Sequence, residues 1–168
     1  MPWPDADAWR AARRRPLFDA NRLAPVQAAP EALLPHRGPM LLVRSLLGAA
    51  PSEGRIAGAF VVAPDEAAFD GHFPGQPVFP GVLLVEMIGQ HALCLVRLAA
   101  TGATPPDVRL VRIHDAVFLR PVVPGDHLTV LAEQVDDGGM GFVALGQVLV
   151  DGEVAAVAAV EAFVEEGP

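Results

Sequence analysis

From about Gly81 to Ala100 the chain is apolar on nearly every face, with Glu86, Gln90, His91 and Arg97 the only strongly polar interruptions before Gly102 and Pro105-Pro106 stop it. A surface helix would carry an apolar stripe and a charged back. A segment lacking the charged back predicts a helix buried on all sides. On either side the pattern shortens to runs of strand length. Met40–Leu47 and Arg55–Val62, separated by the turn signal Pro51-Ser52-Glu53-Gly54, predict a hairpin. Beyond the helix, Val108–Leu119, His127–Val135, Met140–Val150 and Glu153–Val164 predict further strands. Asp136-Asp137-Gly138-Gly139 and Asp151-Gly152 stand at two of the joints, and Asp-Gly between such runs is a strong hairpin signal. One long buried helix with five or six mostly hairpin-linked strands predicts an α+β domain, a single antiparallel sheet curved around the helix.

Residues 1–30 follow neither period and contain Trp3, Trp9, the run Arg13-Arg14-Arg15 and the prolines Pro2, Pro4, Pro16 and Pro25, so the domain is placed at 31–168 behind an N-terminal extension. Two readings of the extension stand side by side. It is a loosely ordered arm, as termini commonly are, or it docks Trp3 and Trp9 on the domain or on a sister subunit. At 168 residues the chain suits one domain, and with 52% hydrophobic and 19% charged residues it is expected to pack.

Charge narrows the partners. The net charge is −8, and all 12 basic residues are arginines, five of them within the first 22 positions. Nothing after Arg120 is basic, whereas nine carboxylates lie from Asp126 onward. General nucleic-acid binding is therefore disfavoured, and a site for an acidic partner has to be built from residues up to Arg120. A single cysteine, Cys94, excludes an internal disulfide and a Cys-based zinc cluster, and reads as a buried helix residue. The histidines at 36, 72, 91, 114 and 127 show no metal-ligand spacing, so no metal is expected. Met1–Asn21 lacks the apolar core of a signal peptide, and no stretch reaches the roughly 20 clean apolar residues of a membrane span, which predicts a soluble cytoplasmic protein.

The chemistry concentrates between Asp70 and Gln90. Glu86 lies among Leu84, Val85, Met87 and Ile88, where an isolated charge is costly. Such a group finds a partner or shifts its pKa upward, and a carboxylic acid protonated near neutrality can donate a proton. His72, in a loop of glycines and prolines, can act as a base if a backbone carbonyl such as that of Val78 fixes its tautomer. The unpaired N–H groups around Gly81 and Val82, at the predicted helix start, can polarise a carbonyl oxygen. Base, acid and oxyanion donor are the parts needed to remove a proton alpha to a thioester carbonyl and expel a β-hydroxyl. On residue types alone the bland reading stays open: a structural loop histidine, and a Glu86 satisfied by Arg97 or by sheet backbone.

Leu34-Pro35-His36-Arg37, Gly71-His72-Phe73-Pro74-Gly75, Pro77-Val78, Pro80-Gly81-Val82-Leu83, Glu86, Gln90 and Arg120-Pro121-Val122-Val123-Pro124-Gly125-Asp126 resemble, in order and spacing, the 3-hydroxyacyl-acyl carrier protein dehydratases of type II fatty acid synthesis. The resemblance spans about residues 32–164. It implies a hot-dog fold, a homodimer that can assemble further into a hexamer, and active sites at the subunit interface, with the His72 and Glu86 of one site coming from different subunits. By the same resemblance His72 is the catalytic base, Glu86 the acid, Gly81 the donor to the thioester oxygen, Val78 the carbonyl orienting the histidine, and Gln90 the support of Glu86. The implied substrate is an acyl chain on the phosphopantetheine arm of an acyl carrier protein, with no cofactor. His36 and Arg37 belong to the pattern without an assigned role.

Carrier proteins are acidic, which sits awkwardly with a net charge of −8 and predicts a local arginine patch, with Arg109, Arg112 and Arg120 as candidates. The chain departs from the family where Arg44-Ser45 replaces Asp-Arg, where His91 replaces a small alanine, and where Leu119-Arg120 replaces a basic pair. His91 reads as a partly exposed helix residue, or one that alters the acyl tunnel or pairs with a neighbouring carboxylate. Two other functions fit the same fold: an acyl thioesterase, which the His-Phe-Pro-Gly loop disfavours, and a non-catalytic acyl-binding subunit.

Overall fold

The long apolar segment forms a 19-residue helix, Gly81–Ala99 (α3), and the strands close around it in a computed structural model that describes residues 5–100, 107–136 and 141–165. Two short helices, Ala6–Ala12 (α1) and Pro30–Leu33 (α2), precede the strands Ser45–Ala50 (β1) and Arg55–Val61 (β2). After α3 come Asp107–Phe118 (β3), His127–Asp136 (β4), Gly141–Val150 (β5) and Glu153–Glu165 (β6). All six strands form one antiparallel sheet in the order β1-β2-β4-β5-β6-β3. This is the expected α+β hot-dog architecture.

The helix buries Leu84, Val85, Met87, Ile88, Leu93, Cys94 and Leu95 against Ile56, Phe60, Val130, Ala144, Val148 and Val160 of the sheet. Its length and mean hydropathy of 1.6 would suit a membrane span, but here the apolar faces meet β2, β4, β5 and β6. Cys94 is fully buried, and loss of solvation pushes its thiol up to about 12, so it is held as the unreactive thiol. The Asp151-Gly152 joint has φ values of 51° and 84°, the two left-handed residues of a tight hairpin turn between β5 and β6.

The structure adds two details to the pattern reading. The first strand starts at Ser45, not Met40, because Leu41, Leu42 and Val43 are buried in the core and the Leu42 N–H is committed to Gln90. Within the extension, the stretch from Trp9 to Leu23 is laid on the outer face of the sheet. Trp9 and Ala12 pack on Leu145, Val157 and Ala159, and Leu17, Phe18 and Leu23 pack on Ala57, Leu131 and Leu149. Gln147, fully buried on that face, explains the order. Its Oε1 accepts from the Leu17 N–H at 2.8 Å, and its Nε2 donates to the carbonyls of Ala12 and Arg15. A primary amide buried under an apolar layer needs partners, and the arm's backbone supplies them. Trp3 lies outside the described residues.

Candidate active site

The loop before α3 is bent sharply. Gly71, Phe73 and Gly75 all have left-handed φ, at 76°, 54° and 85°. For phenylalanine this conformation is uncommon and strained, and it places the Phe73 ring 4.2 Å from the His72 ring, centroid to centroid. Phe79, buried edge-on against Phe60 and Phe69, anchors the far end of the loop, and its N–H donates to the Val122 carbonyl at 2.7 Å. The Pro121–Asp126 turn therefore serves as a backrest for the segment carrying Val78.

His72 Nδ1 lies 2.8 Å from the Val78 carbonyl oxygen. A carbonyl can only accept, so Nδ1 carries a proton, and in the neutral ring this tautomer makes Nε2 the acceptor. His72 lines a cavity of about 470 Å³ together with Val78, Gly81, Val82, Phe118 and Arg120. Gly81 opens α3 behind the cap residue Pro80, which has no capping side chain; the Leu83 and Leu84 N–H groups donate to the Pro80 carbonyl, whereas those of Gly81 and Val82, residues that line this cavity, precede the first intrahelical bond. A Cβ on Gly81 would stand 2.9 Å from the Phe118 ring, so here the close approach permitted by glycine is taken up by an aromatic side chain.

Glu86 lines a second, smaller cavity of about 130 Å³, with His36, Gln90, Leu93, Val108 and Leu110 among its walls. Neither cavity is lined by both His72 and Glu86. Glu86 is only half-buried, with 30% of its side chain exposed, and its Oε1 accepts from Gln90 Nε2 at 2.8 Å. Gln90 is fully buried: its Nε2 also donates to the Met40 carbonyl at 2.7 Å, and its Oε1 accepts from the Leu42 N–H at 2.9 Å. One amide thus fixes both the carboxylate and the buried segment before β1. In the Gln90→Leu variant the Met40 carbonyl and the Leu42 N–H lose their partner inside the core, and urea unfolding should report a loss of about 3 kcal/mol.

The sequence reading left His36 and Arg37 without a role. Arg37 donates to the carbonyls of Leu34, His36 and Glu31, clasping the turn after α2, and this brings His36 Nε2 to 3.4 Å from Glu86 Oε1. The only sequence signal was the Leu-Pro-His-Arg pattern itself. Of the arginines proposed for docking, Arg109 lies 3.4 Å from Asp107, Arg112 3.9 Å from Glu161 and Arg120 3.2 Å from Glu153. The first two are on β3 and the third follows it at the rim of the His72 cavity. Among the described residues, no three His, Cys, Asp or Glu side chains converge as a metal site would require.

His91 is neither exposed nor paired with a carboxylate. It is fully buried, its Nδ1 lies 2.7 Å from the Met87 carbonyl, and its Nε2 has no partner. Room for the ring comes from Gly58 on β2, where a Cβ would stand 2.1 Å from Nε2.

A family model described as a FabA-like domain matches residues 34–159. A 3-hydroxyacyl-[acyl-carrier-protein] dehydratase FabZ of Anaeromyxobacter sp. strain K is 38% identical over 149 residues, covering 88% of this chain and 90% of that protein. The chain belongs to the 3-hydroxyacyl-acyl carrier protein dehydratase family. Another dehydratase, from Granulibacter bethesdensis, is 39% identical over 133 residues, 79% of this chain and 78% of its own length. Among solved structures, an uncharacterized protein of Pyrococcus horikoshii matches with a TM-score of 0.60 at 20% identity, covering 86% of this chain and 97% of that one. The dehydratase heterocomplex ApeI:P of Xenorhabdus doucetiae matches with a TM-score of 0.55 at 22% identity, over 68% and 92%. These structural likenesses carry the fold. The family places its dehydratase name on a chain whose His-Phe-Pro-Gly loop, helix glutamate and supporting glutamine are all present.

Proposed function

We propose that the protein is a soluble hydro-lyase that dehydrates 3-hydroxyacyl-acyl carrier protein to the trans-2-enoyl product, in fatty acid or related lipid or polyketide synthesis. The observation that carries the reading is the hydrogen bond from His72 Nδ1–H to the Val78 carbonyl, which leaves Nε2 free to take a proton. In this mechanism Nε2 removes the alpha proton, and the charge that develops on the thioester oxygen is held by the Gly81 N–H at the start of α3. The alpha electron pair forms the double bond to the β-carbon as the β-hydroxyl leaves, taking a proton from Glu86 and departing as water. Gln90 and His36 hold the Glu86 carboxyl toward the reacting atoms. Transfer of the proton from His72 back to Glu86 restores the starting state.

The two groups belong to one site only if a second copy of the chain completes it, and β3 supplies the means. It is an edge strand, and Leu110, Val111, Ile113 and Phe118 are exposed along it. Its beginning, Val108 and Leu110, lines the Glu86 cavity, and its end, Phe118, lines the His72 cavity. Antiparallel pairing of two such edges about a two-fold axis sets the beginning of one strand beside the end of the other. The Glu86 cavity of one subunit then meets the His72 cavity of its partner, and the half-exposed carboxylate becomes enclosed. Assembly of three such dimers into a hexamer is compatible with this arrangement.

Loss of 18 mass units from 3-hydroxyacyl-acyl carrier protein substrates of several chain lengths tests the reading, with His72→Ala and Glu86→Gln beside the parent. Each variant should lose at least about a hundredfold in turnover while remaining folded. A folded parent that dehydrates no chain length, in either direction, would instead indicate an acyl-binding subunit. Release of free acid without dehydration would indicate a thioesterase.

A further inference from the structure

Docking of an acidic carrier protein needs a basic surface, and the expected one is compromised. Arg109, Arg112 and Arg120 each stand within 4 Å of a carboxylate, and the first two lie on the edge strand that a dimer would use. The sheet's outer face offers a different surface. Residues 10–22 hold five arginines against one carboxylate, Asp19, in a chain whose net charge is −8. Arg10 is paired with Asp7 at 2.8 Å, but Arg13, Arg14, Arg15 and Arg22 are exposed, and no carboxylate among the described residues pairs with them. The Asp19 side chain is committed to its own short turn, where its Oδ1 accepts from the Asn21 N–H and Nδ2.

The backbone under these arginines is fixed. Gln147 grips the Ala12 and Arg15 carbonyls and the Leu17 N–H, so the triplet Arg13-Arg14-Arg15 is displayed from a clamped turn with its guanidinium groups outward. Its place on the sheet relates it to the His72 cavity. Gln147 pairs with Val157, and Val157 pairs with Val117, two strand spacings or about 10 Å in all. Phe118, Leu119 and Arg120, which follow Val117, form one wall of that cavity. A carrier protein delivers its acyl group on a long flexible linker, so its body can rest on the outer face beside the mouth while the thioester enters.

We propose that Arg13, Arg14 and Arg15, presented by the clamped N-terminal arm, form the docking surface for the acidic carrier protein. This rests on the reading of the protein as a carrier-dependent dehydratase. The arm supplies locally the positive potential that the rest of the chain lacks, and rim charges of this kind act on encounter rather than on chemistry.

The test compares two substrates, the 3-hydroxyacyl carrier protein and the matching 3-hydroxyacyl pantetheine thioester, for the parent, the Arg13→Glu/Arg14→Glu/Arg15→Glu variant and a milder triple glutamine variant. The expected result is an about tenfold rise in KM for the carrier-bound substrate with kcat kept, a smaller rise in the glutamine variant, and no change with the pantetheine thioester. The parent's carrier KM should also rise with salt, and the glutamate variant's should not. Unchanged KM values for the carrier substrate overturn the proposal, as does equal impairment on both substrates, which would make the arm merely structural. A parent that dehydrates neither substrate overturns the functional reading instead. Titration calorimetry of acyl-free holo-carrier protein against parent and variants then decides the docking surface alone, with equal binding by all three counting against it. Arginine-dependent sedimentation of the parent with anionic phosphatidylglycerol vesicles, without carrier binding, also overturns it in favour of a membrane contact.

Discussion

A dimer carrying His72→Ala in one subunit and Glu86→Gln in the other should turn over at about half the parent rate per dimer, although neither homodimer of these variants is active. The arithmetic follows from a shared site. One of the two sites in the mixed dimer inherits both substitutions and is dead, while the other combines the intact His72 of one subunit with the intact Glu86 of its partner. Two differently tagged chains, co-expressed and purified through both tags, give the mixed species directly. If both groups served a site within one chain, every site in the mixture would carry one lesion and activity would stay at the level of the variants. The structure motivates the first outcome because His72 and Glu86 line separate cavities in one chain, at opposite ends of the same exposed edge strand.

The second large effect concerns stability and pH. Burial drives the His91 imidazole down to about 4, against the weaker opposing pull of its hydrogen bond to Met87. In the unfolded chain the same group titrates near its usual 6.5. Above that pH it is neutral in both states and contributes no pH dependence. As pH falls from about 6.5 toward 4 the unfolded chain takes up a proton that the native one refuses, and stability is lost over that window. The total is on the order of 3 kcal/mol. Urea unfolding of the parent between pH 7 and pH 5 should therefore show a steeper loss than His91→Ala, which lacks the titrating group. An equal slope in the two proteins would refute a buried neutral His91.

The same residue makes a packing prediction. Gly58→Ala should cost about 3 kcal/mol in the parent, because the new methyl would overlap His91 Nε2. In the His91→Ala background the cost should fall by at least about 1 kcal/mol, a coupling that a double-mutant cycle reads directly. Relief is incomplete because the Ser45 carbonyl oxygen also stands 2.7 Å from that position.

These residues mark where sequence reasoning succeeded and where it stopped. The central helix was legible because burial on all sides removes the polar face that a surface helix carries, and the observed Gly81–Ala99 agrees with the pattern. Strands β2 to β6 fall within about a residue or two of their apolar runs. Met40–Arg44 was misread as strand because a buried extended segment and a strand share the same apolar run, and only the Gln90 contacts separate them. The strand order was invisible, since β3 pairs with β6 across 38 to 58 residues of sequence, as in Phe118 with Ala156 and Asp107 with Glu165. His91 was misjudged because the room for it is made by a glycine on another element. The approach of His36 to Glu86 depends on the Arg37 clasp, a tertiary arrangement with no periodicity to betray it.

Gln147 bonds to the arm across 130 to 135 residues of chain. During synthesis, then, the arm emerges long before the surface it will cover exists. The helix and the β1–β2 hairpin can form from local contacts, but the outer face of β5 and β6 stays bare until those last strands pair. Closing so long a loop places the arm's contacts with Gln147 among the last that synthesis allows.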